Sequence, residues 1–324
     1  MNEALMTRLP KIAAALVCLG AGSAHAAPYI FTDIVDPSAN GSTVASGIND
    51  AGQVSGYYAA GDGSTQSFTY QNGTVTPAPV VAGTSFQANG ITGAGALVGT
   101  QTTSGTVSTV PTAIGVLLTP GSTYLNGVSA NGNNFVGYVQ GQSTVSGFFG
   151  STNGPVNGVT LTTFTVLGST NTMANGVNNA GVIAGEYYDG SGDLHGFTAA
   201  VADPLSFTTT IDDPLAVFGT AVTGINDNGD LTGFYVDGSD DTHGFVDSGG
   251  TFFTIDAPGS DGLFTEVTGN NNSGAIVGEF VDAATGQTVG FEATIAEPVS
   301  VSILGMGLLA LLGVRRASRS ATAI

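Results

Sequence analysis

"VTGINDNGDLTGFYVDGSDDTHGFVDSGGTFFTIDAP", residues 222–258, carries seven aspartates and no lysine or arginine. Such a stretch is either an acidic loop made for calcium or catalysis, or one copy of a repeated strand-and-turn unit. Its pattern favours the second reading. Residues 220–225, 230–237, 242–248 and 251–258 alternate or cluster β-branched and aromatic side chains, and Asn-Asp-Asn-Gly, Gly-Ser-Asp and Gly-Gly separate them as turn signals. Four short strands are expected.

The same pattern recurs along the chain as "ASGINDAGQVSGYY", "ANGITGAGALVGTQ", "LNGVSANGNNFVGYV", "ANGVNNAGVIAGEYY", "VTGINDNGDLTGFYV" and "VTGNNNSGAIVGEFV". The first glycines are Gly47, Gly90, Gly127, Gly176, Gly224 and Gly269, spaced by 43, 37, 49, 48 and 45 residues. A second glycine follows at Gly56, Gly99, Gly137, Gly185, Gly233 and Gly278. Four strands per repeat of this length is the spacing of a propeller blade. The last copy lacks a fourth strand, and the front of the chain, "YIFTDIVDPSANGSTVASGIND", supplies one. Residues 269–295 and 28–46 together make 46 residues, one further repeat. An all-β, six-bladed propeller-like repeat domain over residues 27–296 is expected, closed by its N-terminal strand. The second repeat is short and without a clear strand break in its middle. Five blades with an insertion, or an open β array, are the alternatives.

All five basic residues, Arg8, Lys11, Arg315, Arg316 and Arg319, lie in the two end segments, and the formal net charge is −19. Without interior Lys or Arg there is nothing to neutralise phosphates, so nucleic acid is excluded as a partner, as is a polybasic lipid anchor. Residues 1–26 read as a secretory signal peptide: a basic start, an apolar run, and Ala24-His25-Ala26 before the cleavage point. The lone Cys18 leaves with it, so no disulfide or thiolate metal site is expected. At the other end an apolar run of sixteen residues, 299–314, reaches roughly 24 Å as a helix, a marginal span that precedes an arginine cluster.

The segment 297–324, with Glu297, Pro298, the apolar run and Arg315-Arg316, resembles the PEP-CTERM sorting signal; Ala296 stands where that signal has its first proline. The resemblance implies an exosortase-type processing enzyme as partner and display at the surface or in the exopolysaccharide matrix of a Gram-negative bacterium. Membrane contact is then limited to the C-terminal helix before processing. The repeats themselves, in Gly224-Ile225-Asn226-Asp227 with His243-Gly244-Phe245, and in Gly176 and Asn178 with His195-Gly196-Phe197, resemble extracellular HAF-type repeats. That resemblance implies an exported repeat protein and assigns no activity.

The candidate chemistry is limited. His195 and His243 stand one repeat apart in the same His-Gly-Phe context, which reads as a repeated structural contact, and no catalytic residue is assigned. Carboxylates for a polysaccharide hydrolase or lyase are available as Glu186, Glu266 and Glu279, and such an enzyme needs an acidic set that breaks the repeat. The aspartates of 189–193 and 237–241 flank turn glycines, and Asp36, Asp212 and Asp256 recur before the proline that ends the fourth strand; both are boundary roles. Calcium is the one cofactor candidate, through Asp227 and Asp230, although the loop lacks the EF-hand glycine position. Tyr57, Tyr58, Tyr187, Tyr188 and Tyr235 recur in the second strand, either as sugar platforms at one mouth or as packing between blades. The function expected is a non-enzymatic surface or matrix protein, with a carbohydrate-binding propeller as the alternative.

Overall fold

The computed structural model describes residues 29–79, 84–103, 106–109, 123–152, 160–202 and 209–296. The signal segment 1–26 and the sorting residues Glu297, Pro298, Arg315 and Arg316 lie outside the described residues. The fold is all-β and propeller-like, with no helix among the described residues.

The strands follow the repeat. After β1 (Tyr29–Ile34), the first unit is β2 (Ala39–Ile48), β3 (Val54–Ala60), β4 (Thr65–Gln71) and β5 (Thr74–Pro77). The second is β6 (Thr84–Ile91), β7 (Leu97–Thr103) and β8 (Thr106–Thr109). The third is β9 (Thr123–Val128), β10 (Asn134–Gln140), β11 (Val145–Ser151) and β12 (Thr160–Phe164). The fourth is β13 (Asn171–Val177), β14 (Val182–Tyr188), β15 (Leu194–Ala200) and β16 (Thr209–Ile211). The fifth is β17 (Gly219–Ile225), β18 (Leu231–Val236), β19 (Thr242–Ser248) and β20 (Thr251–Ile255), within a few residues of the four segments read from the sequence. The sixth is β21 (Thr265–Asn270), β22 (Ile276–Val281) and β23 (Thr288–Ile295). Its outer strand is β1, antiparallel to β23 from Tyr29↔Ile295 to Ile34↔Gly290.

The first strand of each unit touches the first strand of the next, and β21 touches β2, so the inner strands close a ring. Glycine makes that approach possible. A Cβ on Gly47, Gly127, Gly176, Gly224 or Gly269 would lie 3.1–3.4 Å from the Cα of the neighbouring unit's first glycine. At Gly90 the approach is looser, with Asn126 O at 3.9 Å, beside the shortest repeat.

The second glycine serves a different contact. A Cβ at Gly233 would fall 2.0 Å from Ala221 O and 2.8 Å from the Phe245 ring, and Gly137, Gly185 and Gly278 face the same pair of groups in their own units. These rings, Phe68, Phe148, Phe197, Phe245 and Phe291, are all at most 1% exposed and form the centre of their sheets' packing. Burying each side chain contributes about 1.5–3 kcal/mol.

A ring and an arc of side-chain hydrogen bonds fasten the units. In every unit the residue before the first glycine is a β-bulge with no opposite partner. Its side chain reaches the next unit's backbone: Ser46 Oγ to Ala88 O at 2.7 Å, Asn89 to Leu125 O at 2.8 Å, and Asn126 to Ala174 O at 3.3 Å. Asn175 donates to Val222 O at 3.0 Å, Thr223 to Val267 O at 2.5 Å and Thr268 to Ala45 O at 2.6 Å, which completes the circle.

The arc uses the Asn of the Gly-Ile-Asn motif, present in four units, with Thr92 and Ser129 in its place in the second and third. Asn178 Nδ2 donates to Asn226 O, Asn226 to Asn271 O and Asn271 to Asn49 O, each at 3.1 Å. The Oδ1 atom of each of these asparagines meanwhile accepts from the backbone of its own turn. One buried Asn therefore both forms its turn and clasps the next unit, which accounts for its recurrence.

Candidate functional site: the central chamber

On one side of the glycine waist the ring encloses a chamber of about 500 Å³, within the usual size range of small-molecule sites. Three layers of side chains line it. The bulge residues Ser46, Asn89, Asn126, Asn175, Thr223 and Thr268 form the layer at the waist. Two residues earlier on the inner strands, Val44, Gln87, Tyr124 and Glu266 form the second. The third is the residue directly after each second glycine: Tyr57, Thr100, Tyr138, Glu186, Phe234 and Glu279. The glycine is constant and the residue behind it is not.

That third layer makes the chamber asymmetric. Glu266 and Glu279 are direct cross-strand partners on β21 and β22, a like-charge pairing that sheets ordinarily avoid. Burial pushes the Glu186 carboxyl up to about 7 and that of Glu279 up to about 7. Burial, reinforced by the charges of Glu279 and Glu186, pushes Glu266 up to about 8. All three are half-buried by surface, because protein encloses each carboxyl on every side but the channel. In the third unit, beside Glu186 and across the ring from Glu266 and Glu279, Tyr124 and Tyr138 stack with ring centroids 4.6 Å apart at 16°. Burial, then the charges of Glu279 and Glu266, raises the Tyr57 phenol above its ordinary range, although a hydrogen bond with Gln87 works the other way. The hydroxyl of Thr100 is buried without a hydrogen-bond partner.

The sequence candidates separate cleanly. Glu186, Glu266 and Glu279, up to 93 residues apart, line this one chamber. Of the five recurrent tyrosines only Tyr57 lines it. Tyr58 is buried in the core with Ile34 and Phe68, and Tyr187 and Tyr235 stack on His195 and His243, in both cases at 5.2 Å and 27°. Those histidines make the same contact twice, Nδ1 to Asp212 Oδ1 at 2.9 Å and to Asp256 Oδ1 at 2.7 Å, and neither lines the chamber. Asp36 parts company with Asp212 and Asp256. Its backbone N–H bonds Thr43, as Asp213 bonds Thr220 and Ala257 bonds Thr265, so it matches the residue after the histidine partner.

The calcium candidates are occupied by protein donors. Asp227 accepts from the Asn179 backbone at 2.8 Å and side chain at 2.6 Å, and Asp230 from Asn226 at 3.0 Å and Ser248 at 2.7 Å. Asp227 borders a separate cavity of about 70 Å³ on the other side of the waist, with Asp50 and Asn272. Among the described residues no group of three or more His, Cys, Asp or Glu is placed to hold a metal ion.

Sequence reasoning missed Tyr124, Tyr138, Phe234 and Thr100. For Tyr138, Phe234 and Thr100 the signal was present in the aligned copies, as the variable position behind an invariant glycine, and Tyr124 stands two residues before the bulge of its copy, but only the ring geometry points these positions inward.

No family model matches the chain, and no curated protein matches it. Among solved structures it is similar to TolB from Acinetobacter baumannii, at 9% identity and a TM-score of 0.44, over 70% of this chain and 59% of that one. The chain thus spans under two thirds of TolB. It is also similar to an Aleuria aurantia lectin mutant in complex with Fucalpha1-6GlcNAc, at 12% identity and TM-score 0.46, over 80% of this chain and 97% of that one. A mutant of AofleA from Arthrobotrys oligospora matches at 15% identity and TM-score 0.44, over 84% and 86%. At these values no residue or ligand carries over to this chain.

Proposed function

We propose that the chain is an exported, six-bladed β-propeller that binds carbohydrate in its central chamber and performs no catalysis. It works at the surface or in the exopolysaccharide matrix of a Gram-negative bacterium, delivered through the signal peptide and the tail bearing Glu297, Pro298, Arg315 and Arg316. The observation that carries the binding reading is the third layer of the chamber. The repeat is held by constant glycines, and the one variable position behind them is filled by Tyr, Thr, Tyr, Glu, Phe and Glu, all facing one cavity. Amides, hydroxyls, carboxyls and aromatic faces together match a sugar, which offers hydroxyls at its edge and C–H groups on its faces.

Hydrolysis is the second reading, and the three glutamates are its observation. A glycosidase separates its two carboxyls into one acid and one ionised partner by giving them different environments. Here desolvation raises all three together, and no cation or hydrogen-bond donor holds any of them ionised. Binding is therefore the better-supported function.

Glycan-array screening of residues 27–296 tests it. Retention of a defined oligosaccharide, lost on Tyr138→Ala with the melting temperature kept, is the expected result. An array without any retained sugar, or release of reducing ends from a matrix polysaccharide, overturns it. The export reading is tested by intact mass in host surface and matrix fractions. A chain ending near Ala296 or Pro298 supports tail processing, and absence from those fractions counts against it.

A further inference from the structure

We infer that the sugar this chamber takes carries a free amine: the chamber is built for an amino sugar whose ammonium group sits at the facing Glu266 and Glu279, with Glu186 further along the same lining, while its ring lies toward Tyr124 and Tyr138. The inference rests on the carbohydrate reading above and names the class of sugar.

Three observations lead to it. The first is the unanswered charge. Glu186, Glu266 and Glu279 line one enclosed space, Glu266 and Glu279 directly opposite each other, and no Lys or Arg occurs anywhere in residues 12–314 to compensate them. A structural role would leave them hydrogen-bonded, yet burial is the sole cause acting on Glu186 and Glu279, with no donor bonding either carboxyl. The second is the aromatic part of the lining. The stacked Tyr124–Tyr138 pair, with Tyr57 and Phe234, gives aromatic faces that attract both C–H surfaces and cations. The third is the orphaned Thr100 hydroxyl on the same lining, which stands ready for a ligand group.

The chemistry then narrows. An anionic sugar meets three carboxyls and no cation. A metal ion lacks a convergent ligand group among the described residues. A neutral sugar leaves the carboxyls protonated or costly. An ammonium group converts the like-charge pairing into the attraction that the site otherwise lacks, and the tyrosine wall takes the rest of the ring.

Binding of an ammonium requires the carboxyls ionised, so where the free sugar is already an ammonium, as at the lower pH, the complex forms with release of protons. The titratable groups facing the chamber are Tyr57 on β3, Tyr124 on β9, Tyr138 on β10, Glu186 on β14, Glu266 on β21 and Glu279 on β22; the remaining lining strands contribute none. Burial raises the phenols of Tyr57 and Tyr138, and the glutamates are the groups pushed into the range between pH 6 and 8. For each proton released, binding tightens by up to about tenfold per unit rise in pH for as long as the pH is below the carboxyl's own value.

The experiment is titration calorimetry of the full repeat domain with tetraglucosamine and with its fully N-acetylated counterpart, at pH 6 and 7.5, in two buffers of different ionisation enthalpy. Expected are tetraglucosamine binding at least about tenfold tighter than the acetylated form, a buffer-dependent heat showing proton release, and loss of that preference in Glu266→Gln with Glu279→Gln at an unchanged fold. The single variant Glu186→Gln, on a different sheet, gives a partial loss. Equal or tighter binding of the acetylated form without proton release overturns the inference and leaves the carbohydrate reading standing. Binding of neither overturns both. Equal binding of spermidine and tetraglucosamine also overturns it, because the site then selects amines and not sugars.

Discussion

The hydroxyl of Thr268 donates to the carbonyl of Ala45 at 2.6 Å, joining two residues 223 positions apart. It is the same bond that Thr223 makes to Val267 within the run of the chain, and here it closes the circle. Thr268→Val keeps the side-chain shape and leaves the Ala45 carbonyl unpaired, a loss of about 1–3 kcal/mol. At about 2–4 °C per kcal/mol for a domain of this size, calorimetry should show the melting temperature fall by several degrees. Removal of residues 29–34 should do more. It strips β1 from β23, uncovers Phe291, which packs on Phe31 at 5.2 Å, and exposes a sheet edge. Light scattering should then report aggregation; a monomer that melts as before would mean that the ring does not depend on this strand.

Gly233 and Gly61 separate space from conformation. A Cβ at Gly233 would overlap the Ala221 carbonyl and the Phe245 ring, both fixed in the sheet. Gly233→Ala should cost more than about 3 kcal/mol, with the low yield of a partly folded chain. Gly61 lies in a turn with nothing within 4 Å of the new methyl, and its φ is not in the left-handed region. Gly61→Ala should be neutral or stabilise by up to about 1 kcal/mol. Urea titration of both variants reads the difference directly.

Asp227 ties two neighbouring units together, because its oxygens accept from Asn179 on one side and Asn272 on the other. Calcium has to break those bonds to bind there. Millimolar calcium should therefore leave the melting temperature unchanged, and Asp227→Ala should lower it by a few degrees with or without the ion. A calcium-dependent rise in the wild type that vanishes in Asp227→Ala would restore the ion-loop reading.

Much of this architecture is legible in the sequence because turn chemistry is local. Asn-Gly turns, paired glycines and Gly-Phe steps mark each strand, and the missing outer strand of the last repeat shows at the front of the chain. The chamber is harder to read because facing inward is a property of the ring. Glu186 and Glu266 are 80 residues apart, and each looks like an ordinary surface acid in its own copy. The bulge before each first glycine also breaks the simple alternation of faces, so a two-residue period does not tell which side chains enter the channel. Asp36 is a case where the spacing was legible: it directly precedes Pro37 whereas Asp212 and Asp256 stand two residues before Pro214 and Pro258, and the Thr43 hydrogen bond agrees with that one-place offset.

The enclosed glutamates make stability depend on pH in the sense opposite to a salt-bridged acid. From an ordinary value near 4.5 the folded chain holds Glu186 and Glu279 up to about 7 and Glu266 up to about 8. Below about pH 4 both folded and unfolded chains are protonated, and these groups contribute nothing. Between about 4.5 and 8 the unfolded chain releases protons that the folded chain retains, so stability falls as pH rises, and the penalty is complete above the folded values. Glu266→Gln removes the ionisation and keeps the shape. It should stabilise by on the order of 3 kcal/mol at pH 8.5 and by almost nothing at pH 4.5. Urea denaturation at the two pH values measures this. A variant equally stabilised at both would mean that the gain comes from packing, and that Glu266 is not held neutral by the chamber.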